Sequence, residues 1–200
     1  MANQLAKAER ILAPAGIQLP HLAGEAAGAR QALAAHFLRG CENIIEIGGA
    51  GAPLTNFLTH RPASVIVIDP KITPYEAAEL NGAPCEVRHI AAKLQQAPLA
   101  AQPGKYGLAL LGLSLKPFGS KSAVTPGLLS LIDNAARCVI DFALQLGRAA
   151  GQIPELTGRG TLKEVARIDF NVSEPAISAT PYGARRMLVL EPVKRPKETE

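Results

Sequence analysis

The sequence predicts an α/β protein built on a mostly parallel sheet, and three observations carry that reading. Short apolar runs rich in β-branched residues recur at 43–47, 65–68, 106–115 and 137–142, and suit strands buried on both faces. Between them lie segments with helix start and stop residues, the alternation of βαβ units. Residues 43–70 then combine a strand, a glycine-rich turn, a short helix, a second strand and an acid at that strand's end.

Two hundred residues suffice for one domain with a substantial core. The net charge of +4 is spread along the chain, with local clusters at Arg185-Arg186 and in residues 194–197. A nucleic-acid protein usually carries a denser basic stripe, so nucleic acid is not expected as a partner. The three cysteines, Cys41, Cys85 and Cys138, are far apart and lack C-x-x-C spacing. They read as reduced, buried thiols, and no metal site is expected. No apolar run has the length of a membrane span and the first residues lack a signal-peptide core, so a cytoplasmic location is expected.

In chain order, residues 2–13 have modest helical character and stop before Pro14. Residues 22–39 make a better helix, with Leu22, Ala26, Ala29, Leu33, Phe37 and Leu38 towards one face and Gly40 placed to end it. After the 43–70 unit, Thr73-Pro74-Tyr75-Glu76 reads as a capping box with proline in the first turn. It predicts a helix to about residue 80, stopped by Asn81-Gly82. Residues 85–90 are the third strand and 91–101 a short helix. Residues 106–115 form the fourth, central strand, and 116–122 a polar turn beyond it. Thr125 with Pro126 opens another helix, and residues 137–142 give the fifth strand. Residues 143–158 form a broken helical stretch. Residues 165–172 and 185–193 are strands with no helical pattern between them, so they should pair antiparallel. Residues 1–40 are thus a helical extension or lid, 41–193 the core of a single domain, and 194–200 a polar tail.

The chemistry concentrates in residues 43–70. Gly48, Gly49 and Gly51 allow a tight turn and close approach of a ligand to the backbone. Asp69 stands about 20 residues past the glycines, where nucleotide-type βαβ sites place the ribose-binding acid. A nicotinamide site fits less well: G-x-G-x-x-G counted from Gly49 needs glycine where Leu54 stands, and Glu46 lies inside the first strand.

Glu46-Ile47-Gly48-Gly49-Ala50-Gly51, Asp69 and the late antiparallel pair together resemble the class I S-adenosylmethionine-dependent methyltransferases over about residues 22–193. The resemblance implies a three-layer Rossmann-like fold with a seven-stranded sheet, its last strand antiparallel and inserted beside the fifth. It implies that Glu46 meets the methionine ammonium and that Gly48, Gly49, Ala50 and Gly51 line the methionyl and ribose portion. Asp69 would accept from the ribose hydroxyls, Pro70, Lys71 and Ile72 would lie along the adenine, and Ala91 and Ala92 would meet its edge. Leu111, Gly112, Leu113 and Ser114 would wall the transfer side. Counted from Glu46, the family's three glycine positions fall on Gly48, Ala50 and Ala52, and no acid follows the third strand. The fourth strand also lacks the Asn/Asp-Pro-Pro-aromatic signature, which argues against methylation of DNA adenine or glutamine.

The implied activity is methyl transfer from S-adenosylmethionine to a small molecule, leaving S-adenosylhomocysteine. The alternative is a non-catalytic subunit of the same fold acting with a protein partner, and self-association is left open. In-line transfer from a sulfonium depends largely on positioning, and a neutral oxygen acceptor also needs a base. Among His21, His89, Tyr75, Lys116, Ser114 and Tyr182, the catalytic candidates are His89, near the third strand's end, and Tyr182, in the link between the late strands. Lys116 and Lys121 would attract an anionic substrate. The commoner roles for such residues are a histidine bonded to backbone and solvated lysines.

Overall fold

The structure is a computed structural model that describes residues 25–49, 53–97, 106–111, 125–144, 160–171 and 184–193. The described elements are α1 (Glu25–Phe37), β1 (Asn43–Ile47), β2 (Ser64–Ile68), β3 (Tyr75–Leu80), β4 (Ala83–Ile90), β5 (Tyr106–Leu110), α2 (Thr125–Asn134), β6 (Arg137–Ala143), β7 (Leu162–Asn171) and β8 (Ala184–Pro192). The strands form one eight-stranded sheet in the order β3-β4-β2-β1-β5-β6-β8-β7.

The apolar runs become the parallel centre. β1 pairs in register with β2 on one side and β5 on the other, with Ile47 opposite Ile68 and Leu110. Every residue of β5 is buried, as expected of a strand covered on both faces. On one face, Ala34 and Ala35 of α1 and Leu38 in the turn after it pack with Ile44, Val65, Val67 and Ala109. On the other, α2 lays Leu128 and Ile132 over Ile45, Ile66, Leu108 and Ile140. α1 ends where the sequence places its stop, with Gly40 at φ 83°. Gly107 permits its close approach to β5, since a Cβ there would come within 2.8 Å of Leu38 Cδ2 and 2.9 Å of Cys41 Sγ. Cys41, Cys85 and Cys138 are free and buried.

The late strands agree with the expectation. β8 runs antiparallel beside β6, and β7 pairs antiparallel with β8. The expected count of seven strands is corrected to eight. The segment read as a helix over 73–80 is β3, an edge strand antiparallel to β4. Asn81 (φ 52°) and Gly82 (φ 70°) both adopt the left-handed conformation of a two-residue hairpin turn, and Asn81 Nδ2 donates to Leu58 O at 2.9 Å. Glu-Ala-Ala-Glu-Leu favours a helix locally, but pairing with β4 overrides that preference.

Two more helices are smaller than expected. The segment after Pro53 is a single 3-10 turn, Leu54–Asn56, and the one after β4 is another, Leu94–Gln96. The helix at 2–13, the turn at 116–122 and the link at 173–183 lie outside the described residues, as does all but the first part of 143–158.

Candidate functional site

The parallel strands end together, and the site is built from the residues that leave each strand's carboxyl end. After β1, Gly48 turns the chain at φ 93°, and its N–H donates to Ile68 O at 2.9 Å, tying the turn to β2. Glu46 sits one residue before the strand's end and is fully buried. Its Oε2 accepts the N–H of Leu54 at 2.7 Å, the first amide of the 3-10 turn. Its Oε1 is buried with no hydrogen-bond partner. Burial pushes the carboxyl up to about 8; the Leu54 N–H opposes that rise and the nearby Asp69 charge adds to it. Gly49 lies directly against this carboxyl, because a Cβ there would fall 1.7 Å from Oε1.

After β2, Asp69 is half-buried. Its N–H donates to Ile90 O at 3.2 Å, and its Oδ1 accepts the Lys71 N–H at 2.7 Å. That second bond folds Pro70 and Lys71 into an exposed turn and leaves the other carboxylate oxygen for a ligand. After β4, Ala91 is exposed, and the Ala92 N–H donates to Ile90 O at 2.9 Å. After β5, the Leu111 N–H donates to Ile47 O at 2.9 Å, which brings buried Leu111 beside the glycine turn. Glu46, Gly48, Gly49, Asp69, Pro70, Lys71, Ala91 and Leu111 therefore all lie at one end of the sheet. Ala50, Gly51 and Tyr182 fall outside the described residues.

His89 lies on β4 in register with Val67 of β2 and Tyr75 of β3. Its Nε2 is 3.4 Å from Thr55 Oγ1, and its ring centroid is 5.3 Å from that of the exposed Tyr75. Burial holds it below the usual histidine range, so the ring is neutral at pH 7. Sequence reading missed the parts played by Leu54 and Thr55. The only local signal was Pro53, a residue suited to opening a helical turn but silent on which side chain its amides face.

No group of three or more His, Cys, Asp or Glu that could hold a metal ion occurs among the described residues. No described helix is long and apolar enough to cross a membrane.

The arrangement can be compared with known proteins. No family model matches the chain, and no curated protein matches it in sequence. Solved structures do match. The N-methyltransferase NodS from Bradyrhizobium japonicum WM9, in complex with S-adenosylhomocysteine, superposes with a TM-score of 0.54 at 13% identity, covering 84% of this chain and 87% of that one. The fold is that of the class I S-adenosylmethionine-dependent methyltransferases. The O-methyltransferase TomG from Streptomyces achromogenes, in complex with S-adenosylmethionine, gives a TM-score of 0.53 at 16% identity, over 96% of this chain and 90% of that one. A protein from Pyrococcus horikoshii assigned as an RNA methyltransferase gives 0.50 at 11% identity, over 86% and 85%. Those names span nitrogen, oxygen and RNA methylation, so the methyltransferase fold leaves the acceptor class open, nucleic acid included.

Proposed function

We propose that the protein is an S-adenosylmethionine-dependent methyltransferase acting on a small molecule. The observation that carries the reading is Glu46. A fully buried carboxyl with one oxygen bonded to Leu54 N–H and the other unpartnered is costly unless a ligand completes it. An ammonium group is the natural complement. Gly49 leaves the space against that oxygen clear of any Cβ. Asp69, half-buried with an oxygen to spare, suits a ribose hydroxyl. The residues present therefore fit the cofactor, which would supply an activated methyl group.

In this reading Gly48, Gly49, Ala50 and Gly51 line the methionyl and ribose portion. Pro70, Lys71 and Ala91 border the adenine, and Leu111 walls the transfer side. His89, neutral at pH 7, is the candidate proton acceptor for an oxygen nucleophile, with Tyr182 as the second candidate. A small acceptor fits a described fold that is one sheet with its covering helices and no separate recognition domain among the described residues.

Calorimetry with S-adenosylmethionine and S-adenosylhomocysteine tests the reading. Saturable binding with thermal stabilisation is expected. Absence of both at millimolar cofactor would overturn the enzyme and leave a non-catalytic subunit of the same fold.

A further inference from the structure

The surroundings of Glu46 fix its charge in the cofactor-free protein. The residue lies mid-sheet, in register with Val67 of β2 and Ala109 of β5, and is 0% exposed. The Leu54 N–H donates to Oε2, and Oε1 has no partner. No cation among the described residues bonds to it. Arg30 of α1 and Arg185 of β8 donate to Asp141 of β6, and Lys71 is exposed on the turn past Asp69. The 3-10 turn brings no charged residue, and His89 of β4 lies 3.4 Å from Thr55 Oγ1 of that turn. Asp69, beyond the end of β2, is the charge that acts on Glu46, and its sign is the same.

A bare carboxylate walled in beside another anion is costly to keep ionised, and such a group holds its proton instead. The carboxyl, pushed up to about 8, is therefore neutral across the weakly acidic range. A ligand ammonium reverses the balance, because an opposite charge at close range favours the carboxylate. An α-amino group ordinarily titrates at about 7.7–8.0, so near pH 6 the ligand arrives already charged. The proton that must leave is then the one on Glu46.

We propose that Glu46 is a neutral acid in the cofactor-free protein and that binding of S-adenosylmethionine expels its proton. The inference rests on the methyltransferase reading above. The carboxyl O–H bond breaks, the proton passes to the buffer, and the carboxylate pairs with the ammonium. By linkage, affinity for the amino-acid end rises about tenfold per pH unit in weakly acidic solution and levels off near pH 8. Cofactor loading is thereby made sensitive to pH through one residue of this chain.

The test is calorimetry on the full chain at about pH 6 in two buffers of different ionisation heat, MES and imidazole. The ligands are S-adenosylmethionine and methylthioadenosine, which lacks the amino acid. The dependence of the measured heat on the buffer counts protons. Roughly one proton released per S-adenosylmethionine is expected, with none for methylthioadenosine and none for S-adenosylmethionine on Glu46→Gln. If that variant fails to fold or to bind, the wild type decides: the ratio of the two ligands' affinities should rise about tenfold per pH unit between about pH 6 and 7. Binding of S-adenosylmethionine with buffer-independent heat, or a constant ratio, overturns this inference and leaves the methyltransferase reading standing. Equal proton release in Glu46→Gln, or with methylthioadenosine, assigns the proton to another group and overturns it too. Absence of S-adenosylmethionine binding to the wild type overturns both readings together.

Discussion

Gly49 is the only residue type that fits beside Glu46 as the latter is placed: an added Cβ would lie 1.7 Å from Glu46 Oε1 and 2.4 Å from its Cδ. Gly49→Ala must therefore swing the carboxyl away from the Leu54 N–H, breaking a 2.7 Å bond inside the core. Overpacking of this kind costs about 1–3 kcal/mol, and thermal unfolding will read it as a lowered Tm. The same substitution in a Glu46→Ala background should cost far less, because the obstructing atoms are gone. Equal costs in the two backgrounds would refute the contact.

Glu46 should also set a pH dependence of stability. Its carboxyl titrates at about 8 in the folded protein against 4.5 ordinarily. Between those values the folded state holds a proton that the unfolded state has released. The group's contribution is therefore complete below about pH 4.5 and is lost as the pH rises through about 8. Glu46→Gln removes that slope. Denaturant unfolding should find the variant gaining on the wild type from acid to mildly alkaline pH, by on the order of a few kcal/mol. Parallel stability curves would contradict the raised carboxyl.

The hairpin turn between β3 and β4 gives a test of a different physical cost. Gly82 has φ 70°, and nothing lies within 4 Å of where its Cβ would be. Gly82→Ala meets no obstruction, so its penalty is conformational alone, about 1–2 kcal/mol. Gly82→D-Ala, made by chemical synthesis or ligation, should restore stability. If residue 82 had an ordinary negative φ, neither the loss nor the rescue would be seen.

That hairpin also marks where the sequence misleads. Strands β1, β2, β5 and β6 are legible because both faces of each are covered, which demands the continuous apolar runs seen in the chain. The antiparallel pairing of β7 with β8 is legible because no helical pattern separates the last two strands, whereas the place of β8 beside β6 was implied only by the resemblance to the methyltransferases. β3 is an edge strand with an exposed face, so packing writes no apolar alternation into Tyr75-Glu76-Ala77-Ala78-Glu79-Leu80. Its clearest signal, Asn81-Gly82, serves equally well as a helix stop. At the site, Glu46 and Asp69 stand out because charged residues inside or closing a buried strand are rare. The Arg30–Asp141–Arg185 cluster did not, since its members sit on three elements separated by up to 155 positions in sequence numbering, from 30 to 185. Nothing local in the chain reports that they meet.

Asp69 offers the sharpest test of how the cofactor would lie. In Asp69→Asn, the side-chain oxygen can still accept the Lys71 N–H, so the turn through Pro70 survives while the charge is lost. A hydrogen bond to a charged group is worth about 1.5–3 kcal/mol, which predicts roughly a ten- to hundredfold loss of affinity for S-adenosylmethionine. Methylthioadenosine keeps the ribose and lacks the amino acid. If Asp69 holds the ribose, its affinity falls by the same factor as that of S-adenosylmethionine. A loss confined to ligands with the amino acid would move Asp69 to the methionine end. No loss for either ligand would remove Asp69 from the site. Calorimetry on wild type and variant, with circular dichroism to confirm an unchanged fold, distinguishes these outcomes.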